Sequence, residues 1–149
     1  ALADALAGGG AAVVFLDLDR FKEINDTRGH AEGDRVLREA ARAMRGVVRR
    51  GDLLCRWGGD EFVLVLPGAD LITAQEAAER LREAVSGIID ASVGVAVSRP
   101  GDSPEDLVER ADKAMYEDKR RAREPRIDPA FPATGEGSAA AEAAAERGG

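Results

Sequence analysis

The sequence predicts an α+β domain in which helices pack against one side of a mainly antiparallel sheet. An apolar run without alternation at 11–17 is typical of a central strand covered on both faces. Two shorter apolar runs at 53–57 and 62–66 flank a Gly-Gly-Asp-Glu sequence suited to a tight reversal, which predicts a β-hairpin. Apolar residues at helical spacing before and after the hairpin predict the helices that complete this fold.

The remaining elements follow in order from apolar spacing and turn residues. Gly8-Gly9-Gly10 interrupts the chain before the first strand, and a polar stretch from Arg20 to His30 follows that strand. Ser103, with Asp106 three residues later, is a candidate helix N-cap. The predicted elements beyond the polar stretch are a helix over 33–50, the hairpin, a helix over 70–85, a strand over 88–97 and a helix over 103–121.

The composition of the chain changes from Glu124 onwards, where three prolines precede a segment of Gly, Ser, Ala and Glu with few large apolar residues. Such a segment cannot bury enough apolar surface to offset the entropy lost on ordering. We therefore expect one folded domain over 1–123 and a disordered tail over 124–149.

The 149-residue chain has a formal net charge of −7, with 44% apolar and 33% charged residues. This acidic balance argues against a general nucleic-acid surface, whereas a nucleotide substrate needs only a few placed cations and a divalent metal ion. No apolar run approaches the roughly 20 residues that a membrane span needs. The start of the chain lacks a secretory-signal pattern and Cys55 is the single cysteine, so the cytoplasm is the expected compartment.

Asp17 ends the first predicted strand and Asp60 lies in the hairpin turn, so their carboxylates would meet if the hairpin lies beside that strand. Mg²⁺ commonly takes one or two carboxylates and leaves its other positions to water and substrate phosphates. Gly58 and Gly59 would let a ligand approach the backbone of the turn. The alternative is that the two acids only end a strand and form a turn, in which paired glycines are also common.

Two further pairs of residues suit a nucleotide. Lys119 and Arg123 lie four residues apart and would present cations to terminal phosphates, although cations at a helix C-terminus also complement the helix dipole. Asn25 and Asp34 would together hydrogen-bond a guanine edge, although each also suits a local turn or the first turn of a helix.

These residues form part of a longer pattern that closely resembles the GGDEF family of diguanylate cyclases. The resemblance covers roughly residues 11–123, with its segments in the family's order. It is carried by Asp17-Leu18-Asp19-Arg20-Phe21-Lys22, Asn25-Asp26, Gly29-His30, Gly33-Asp34, Arg56-Trp57-Gly58-Gly59-Asp60-Glu61-Phe62, Ser92-Val93-Gly94-Val95-Ala96, Ala111-Asp112-Lys113-Ala114-Met115-Tyr116 and Lys119.

The resemblance implies a nucleotidyl-cyclase or polymerase-palm-like fold with a ferredoxin-like βαββαβ core. It also implies an enzyme that uses Mg²⁺ or Mn²⁺ to join two GTP molecules into cyclic di-GMP with release of two pyrophosphates. Because each domain would hold one GTP, turnover would require a homodimer whose two hairpins face each other.

The resemblance implies roles for individual residues as well. The metal ligands would be Asp17, Asp60 and the Leu18 carbonyl, and the catalytic group would comprise Asp60, Glu61 and Lys22. Lys22 would also contact phosphate. The implied substrate-binding residues are Phe21, Asn25, Asp34, Gly59, Lys119 and Arg123.

Arg49 and Asp52 match the family's Arg-x-x-Asp inhibitory site, where cyclic di-GMP binds and restrains the enzyme. Arg80 is similar in placement to the arginine that a partner domain contributes to this site. An arginine would grip a guanine edge or a phosphate with two parallel hydrogen bonds, although Arg49 and Asp52 would also suit a surface ion pair.

The sequence departs from the family pattern at three places. The helix with an Asp-x-Leu-Thr-x-Leu-x-Asn-Arg signature before the first strand is absent, so we expect an N-terminally truncated part of a larger protein. That protein would carry a sensory domain upstream and could be anchored to a membrane. Segment 86–92 is shorter than the hairpin of many members, and Ala122 replaces a glycine.

The competing hypotheses are a non-catalytic receptor for GTP or cyclic di-GMP and another type of nucleotidyl cyclase.

Overall fold

The computed structural model describes residues 2–123, so the tail expected over 124–149 lies outside the described residues. No helix in this part of the chain is long and apolar enough to cross a membrane. The elements are α1 (Leu2–Ala7), β1 (Ala11–Leu18), α2 (Phe21–Arg28), α3 (His30–Arg45), β2 (Leu53–Arg56), β3 (Glu61–Pro67), α4 (Leu71–Val85), β4 (Ala91–Val97) and α5 (Pro104–Arg123).

The four strands form one sheet in the order β2-β3-β1-β4, and every neighbouring pair is antiparallel. This confirms the α+β class and the hairpin of β2 and β3. Strand β1 lies between β3 and β4, and all eight of its residues are buried. The uninterrupted apolar run therefore marks the centre of the sheet, as the sequence predicts.

Helices cover both faces of the sheet, so the expectation that they lie on one side is wrong. Residues Val14 and Leu16 of β1 pack against α3 and α4, whereas Val13 and Phe15 pack against α5 and α1. Successive side chains of a strand point to opposite faces, and both sets in β1 are apolar. Two helical layers are needed because the apolar side chains on each face of β1 must be shielded from water.

The polar stretch from Arg20 to His30, in which the sequence predicts no helix, forms helix α2 and the start of α3. Arg20 adopts a left-handed conformation with φ 58°, and its carbonyl accepts from the backbone N–H groups of Glu23 and Ile24. Phe21 and Ile24 are half-buried against the core. Two apolar residues in eight give too weak a periodicity to predict this helix from sequence.

Several element boundaries also differ from prediction. Helix α3 ends at Arg45 rather than at 50, and β4 begins at Ala91 rather than at 88. The short helix α1 was not predicted, and its Leu2 and Leu6 pack against the α5 layer. The N-cap at Ser103 is confirmed, because its hydroxyl accepts from Asp106 N–H at 3.1 Å and Asp106 accepts from Ser103 N–H at 3.1 Å.

Helix α5 approaches the sheet closely at Gly94 of β4. A Cβ atom at this position would overlap the backbone of α5 at Ala111 and Met115. We expect Gly94→Ala to lower the free energy of unfolding by about 2 to 3 kcal/mol, because the helix must move to admit a methyl group. Urea unfolding measures this loss. Gly87→Ala is the matched control, since a Cβ there meets no atom within 4 Å; equal stability of the two variants would contradict the prediction.

An ion pair joins the loop after β4 to α5. The Arg110 guanidinium donates to both Asp102 carboxylate oxygens at 2.9 Å, and these bonds hold the pKa of Asp102 down at about 2. Because the pKa of Asp102 is lower in the folded chain than the unfolded-state value of 3.8, the ion pair stabilises the fold at pH values above 3.8. This contribution disappears as the pH falls towards 2. Wild type should therefore exceed Asp102→Asn in thermal stability at neutral pH, and this difference should shrink between pH 4 and pH 2. A difference that persists undiminished at pH 2 would contradict this.

Candidate active site

The acidic residues singled out in the sequence meet at one end of the sheet. Asp17 lies directly opposite Glu61 in the pairing of β1 with β3. The Leu18 N–H donates to the Asp60 carbonyl at 3.0 Å, which places the hairpin turn beside the end of β1. The hairpin therefore lies beside β1, which is the condition under which the sequence predicts that the two carboxylates meet.

The alternation of side chains decides which helix faces this acidic cluster of Asp17, Asp60 and Glu61. Asp17 continues the set of Val13 and Phe15, whose side chains point towards α5. Lys119 of α5 meets it there, and its Nζ donates to Asp17 Oδ2 at 2.7 Å. The pair joins residues 102 positions apart in sequence.

Asp17 is 7% exposed, and its second carboxylate oxygen, Oδ1, is buried without a hydrogen-bond partner among the described residues. Burial raises the pKa of Asp17, the nearby Asp60 charge raises it further, and the hydrogen bond from Lys119 opposes both effects. An unpartnered buried carboxylate oxygen is costly in a folded protein. It fits a site that receives a cation.

Glu61 shares this environment. Burial raises its pKa, and the charges of Asp17, Asp60 and Asp112 raise it further, while Lys119 lowers it. The cluster therefore has a negative potential. Within residues 2–123, no three His, Cys, Asp or Glu side chains are arranged to hold a metal ion together. A divalent ion at this site would need carbonyl, water or phosphate oxygens as further ligands.

Arg56 holds the turn next to the acidic cluster, a role that was not predicted from its place in the sequence. Its guanidinium donates to the carbonyls of Gly58 and Gly59 at 3.0 and 2.7 Å. A Cβ at Gly58 would lie 2.5 Å from Glu61 Oε1, whereas a Cβ at Gly59 would meet nothing within 4 Å. A side chain at Gly58 would therefore displace the Glu61 carboxylate, whereas the space beside Gly59 is open to a ligand.

Asn25 and Asp34, the two residues predicted to recognise guanine, lie on the neighbouring helices α2 and α3. The Asn25 side chain occupies the space next to Gly33, where a Cβ would overlap its amide oxygen. Asp34 follows Gly33 and lies at a groove of about 320 Å³. Apolar residues of α3 and the hairpin line this groove together with three arginines: Leu37, Ala41, Leu54, Phe62, Arg38, Arg45 and Arg56.

The other predicted site residues lie on α2 and at the end of α5. Lys22 is 90% exposed on α2, and its contact within the described residues is with Asp26 at 3.9 Å. Phe21 is half-buried against the core. Arg123 is the last residue of α5, one helical turn beyond Lys119.

The three residues predicted to form an inhibitory site come together on another surface. Asp52 N–H donates to the Arg49 carbonyl at 3.1 Å, and Arg80 of α4 donates to the Val47 carbonyl at 3.2 Å. Burial raises the pKa of Asp52, while the charges of Arg80 and Arg49 lower it. Arg49, Arg50 and Asp52 line a groove of about 350 Å³. Arg80, held at the Val47 carbonyl, is thus close enough for its charge to act on Asp52 of the same chain.

Known proteins resemble this chain over most of its length. Residues 2–125 match the model of the family described as diguanylate cyclase, GGDEF domain. The chain is 42% identical over 131 residues to the response regulator PleD of Caulobacter vibrioides, covering 79% of this chain and 29% of that protein. It is 43% identical over 124 residues to diguanylate cyclase TpbB of Pseudomonas aeruginosa, covering 75% and 28%. The chain thus spans less than a third of these relatives.

Solved structures show the same fold. The GGDEF domain of DgcB from Caulobacter crescentus, in complex with c-di-GMP, superposes with a TM-score of 0.77 at 33% identity, covering 82% of each chain. Diguanylate cyclase SiaD from Pseudomonas aeruginosa, in complex with its activator SiaC, gives a TM-score of 0.74 at 42% identity, covering 77% of this chain and 48% of that one. Diguanylate cyclases of this kind depend on a metal ion. The chain belongs to the GGDEF family of diguanylate cyclase domains.

Proposed function

We propose that this domain joins two GTP molecules into cyclic di-GMP. The ribose 3′-oxygen of one GTP forms a bond to the α-phosphorus of the other, and pyrophosphate leaves with the electrons of the broken bond. The 3′-oxygen of the second nucleotide then forms a bond to the α-phosphorus of the first, which closes the ring and releases a second pyrophosphate. The observation that carries this proposal is the buried Asp17 carboxylate, with one oxygen on Lys119 and the other without a partner among the described residues.

The acidic cluster suits Mg²⁺ or Mn²⁺. Asp17 and Asp60 would bind the ion through their carboxylates. The Leu18 carbonyl, at the end of β1, would be a third ligand. A divalent ion there supplies positive charge that stabilises the phosphoryl transition state and favours loss of the proton from the attacking hydroxyl. Glu61 adds negative charge next to these ligands, which strengthens cation binding.

Substrate phosphates would lie between the turn and the end of α5. Gly59 leaves room for a phosphate to approach the backbone, because a Cβ there meets nothing within 4 Å. Lys119 is directed into the cluster and would exchange part of its contact with Asp17 for phosphate oxygens. Arg123 and Lys22 would add positive charge from α5 and α2, with the exposed Lys22 moving towards the phosphates.

Asn25 and Asp34 would recognise the guanine edge, and the half-buried Phe21 would support the base from α2. The Asp34 carboxylate accepts from the N–H groups of guanine, which adenine does not present in the same pattern. One domain would hold one GTP, so turnover would occur in a homodimer, with each hairpin presenting its substrate to the other.

Chromatographic detection of cyclic di-GMP tests this function. The purified chain is incubated with GTP and Mg²⁺, and matched reactions contain ATP or EDTA. We expect product only with GTP and the metal ion. Cyclic di-AMP from ATP would indicate another nucleotidyl cyclase. Binding of GTP or cyclic di-GMP without product at any protein concentration would indicate a receptor.

The surface formed by Arg49, Asp52 and Arg80 is proposed to bind cyclic di-GMP and to restrain the enzyme. We expect Arg49→Ala to raise the concentration of cyclic di-GMP needed for half-inhibition by about 10- to 100-fold, because one or two charged hydrogen bonds are lost. Initial rates at increasing product concentration measure this shift. Arg28→Ala, an exposed arginine on α2, is the control. Unchanged inhibition in Arg49→Ala would refute the site.

A further inference from the structure

Lys119 lies in a part of α5 that apolar packing does not hold. Met115 is the last buried residue of the helix among those described, and the next residues, Tyr116 and Glu117, are exposed. A helix end without apolar contacts frays readily unless polar contacts hold it. The position of the Lys119 ammonium therefore depends on polar contacts near the end of α5.

Asp118 provides such contacts. Its side chain is 18% exposed, and Oδ2 accepts from the Val93 N–H at 2.9 Å and from Arg82 Nη2 at 3.3 Å. Val93 belongs to β4 and Arg82 to α4, so one carboxylate joins α5 to two other elements. Within the described sheet, β4 is an edge strand, whose outward N–H groups need partners outside the sheet.

The register of the sheet relates this contact to the acidic cluster. Val93 lies opposite Leu16, and Leu16 precedes Asp17 in β1. Two consecutive residues of α5 thus contact two adjacent positions of the sheet, since Asp118 reaches Val93 and Lys119 reaches Asp17. Together these contacts determine both the distance of the helix end from the sheet and its rotation about the helix axis.

We propose that Asp118, held by the Val93 N–H and Arg82, is a positioning residue that keeps the Lys119 ammonium at the acidic cluster. The inference rests on the proposed function for its catalytic consequence, because Lys119 would contact substrate phosphates there. Asp118 itself does not touch the substrate in this scheme. Its loss leaves the core intact and allows Lys119 to move away from Asp17.

The first test needs no catalytic activity. The chain has three lysines, so ¹³C-labelled lysine gives signals for Lys22, Lys113 and Lys119. In Asp118→Ala we expect the Lys119 side-chain signal to move towards that of the exposed Lys22, and the Val93 amide to exchange with solvent faster. Asp118→Asn should largely retain the Val93 protection, because an amide oxygen still accepts that bond. An unchanged Lys119 signal in Asp118→Ala would overturn the proposal even if the chain lacked cyclase activity.

The second test separates positioning from general weakening of the fold. We expect Asp118→Ala to raise KM for GTP about 5- to 10-fold, and to have little further effect in a chain that already carries Lys119→Met. Equal effects of Asp118→Ala in the two backgrounds would overturn the positioning role. Glu117→Ala is the matched control, because this neighbouring acid is paired with Arg120 on the exposed side of α5. If Lys119→Met does not fold, the Lys119 signal in the spectra of Asp118→Ala and wild type alone tests the positioning role.

Discussion

Replacing Asp60 by alanine is expected to lower the rate of cyclic di-GMP formation about 1000-fold. A carboxylate that binds the metal ion contributes several kcal/mol of transition-state stabilisation, and about 4 kcal/mol corresponds to this factor. The fold should survive, because the Asp60 carbonyl, and not its side chain, accepts the Leu18 N–H. Steady-state rates at saturating GTP and Mg²⁺ measure the change.

The control for this substitution is Glu76→Ala, which removes one negative charge from an exposed position on α4. Circular dichroism should be the same for both variants and for wild type. Retention of more than about a tenth of the wild-type rate by Asp60→Ala would correspond to a loss of less than about 1.4 kcal/mol and would refute the metal-ligand role.

Replacing Lys119 by methionine is expected to lower the free energy of unfolding by about 2 to 3 kcal/mol in the absence of metal. The side chains of Asp17 and Lys119 are 10% and 22% exposed, so the substitution leaves a buried carboxylate without its partner. Protonation of Asp17, whose pKa burial already raises, limits the cost. Urea unfolding with and without Mg²⁺ measures the change.

Added Mg²⁺ should stabilise Lys119→Met more than it stabilises wild type. In wild type the ammonium would compete with the metal ion for Asp17, whereas in the variant both carboxylate oxygens would be available to the ion. Lys113→Met is the control, because Lys113 is exposed on the same helix. Equal stabilisation of all three proteins by Mg²⁺ would mean that Asp17 does not bind the ion.

The sequence predicted those parts of the fold and site that depend on local patterns. The buried run of β1 and the glycine-rich turn predicted a strand and a hairpin that would bring Asp17 near Asp60 if they were neighbours, and the pairing of β1 with β3 fulfils that condition. Helix α2 was not predicted, because it contacts the core through only two apolar side chains, Phe21 and Ile24. The second helical layer was also missed, although a strand that is apolar on both faces requires one.

The remaining differences concern contacts between distant segments. Arg56 belongs to the family motif, but its bonds to two carbonyls of the turn were not predicted from it, and Asp118, which joins α5 to β4 and α4, belongs to no spacing pattern. The residues of the proposed inhibitory site were identified through family resemblance alone. Their proximity to one another in one chain, with Arg80 next to Asp52, became apparent only with α4 placed against the loop before β2.

The contact between Asp17 and Lys119 has a consequence for synthesis on the ribosome. Its two residues lie 102 positions apart, near opposite ends of the described chain. A nascent chain that has emerged through β3 already contains both proposed carboxylate ligands but not the lysine that faces them. Contacts between such distant residues form late because of the entropy of closing the loop. The proposed GTP turnover would therefore begin only after α5 has docked on the sheet. A partly synthesised domain would then form no cyclic di-GMP.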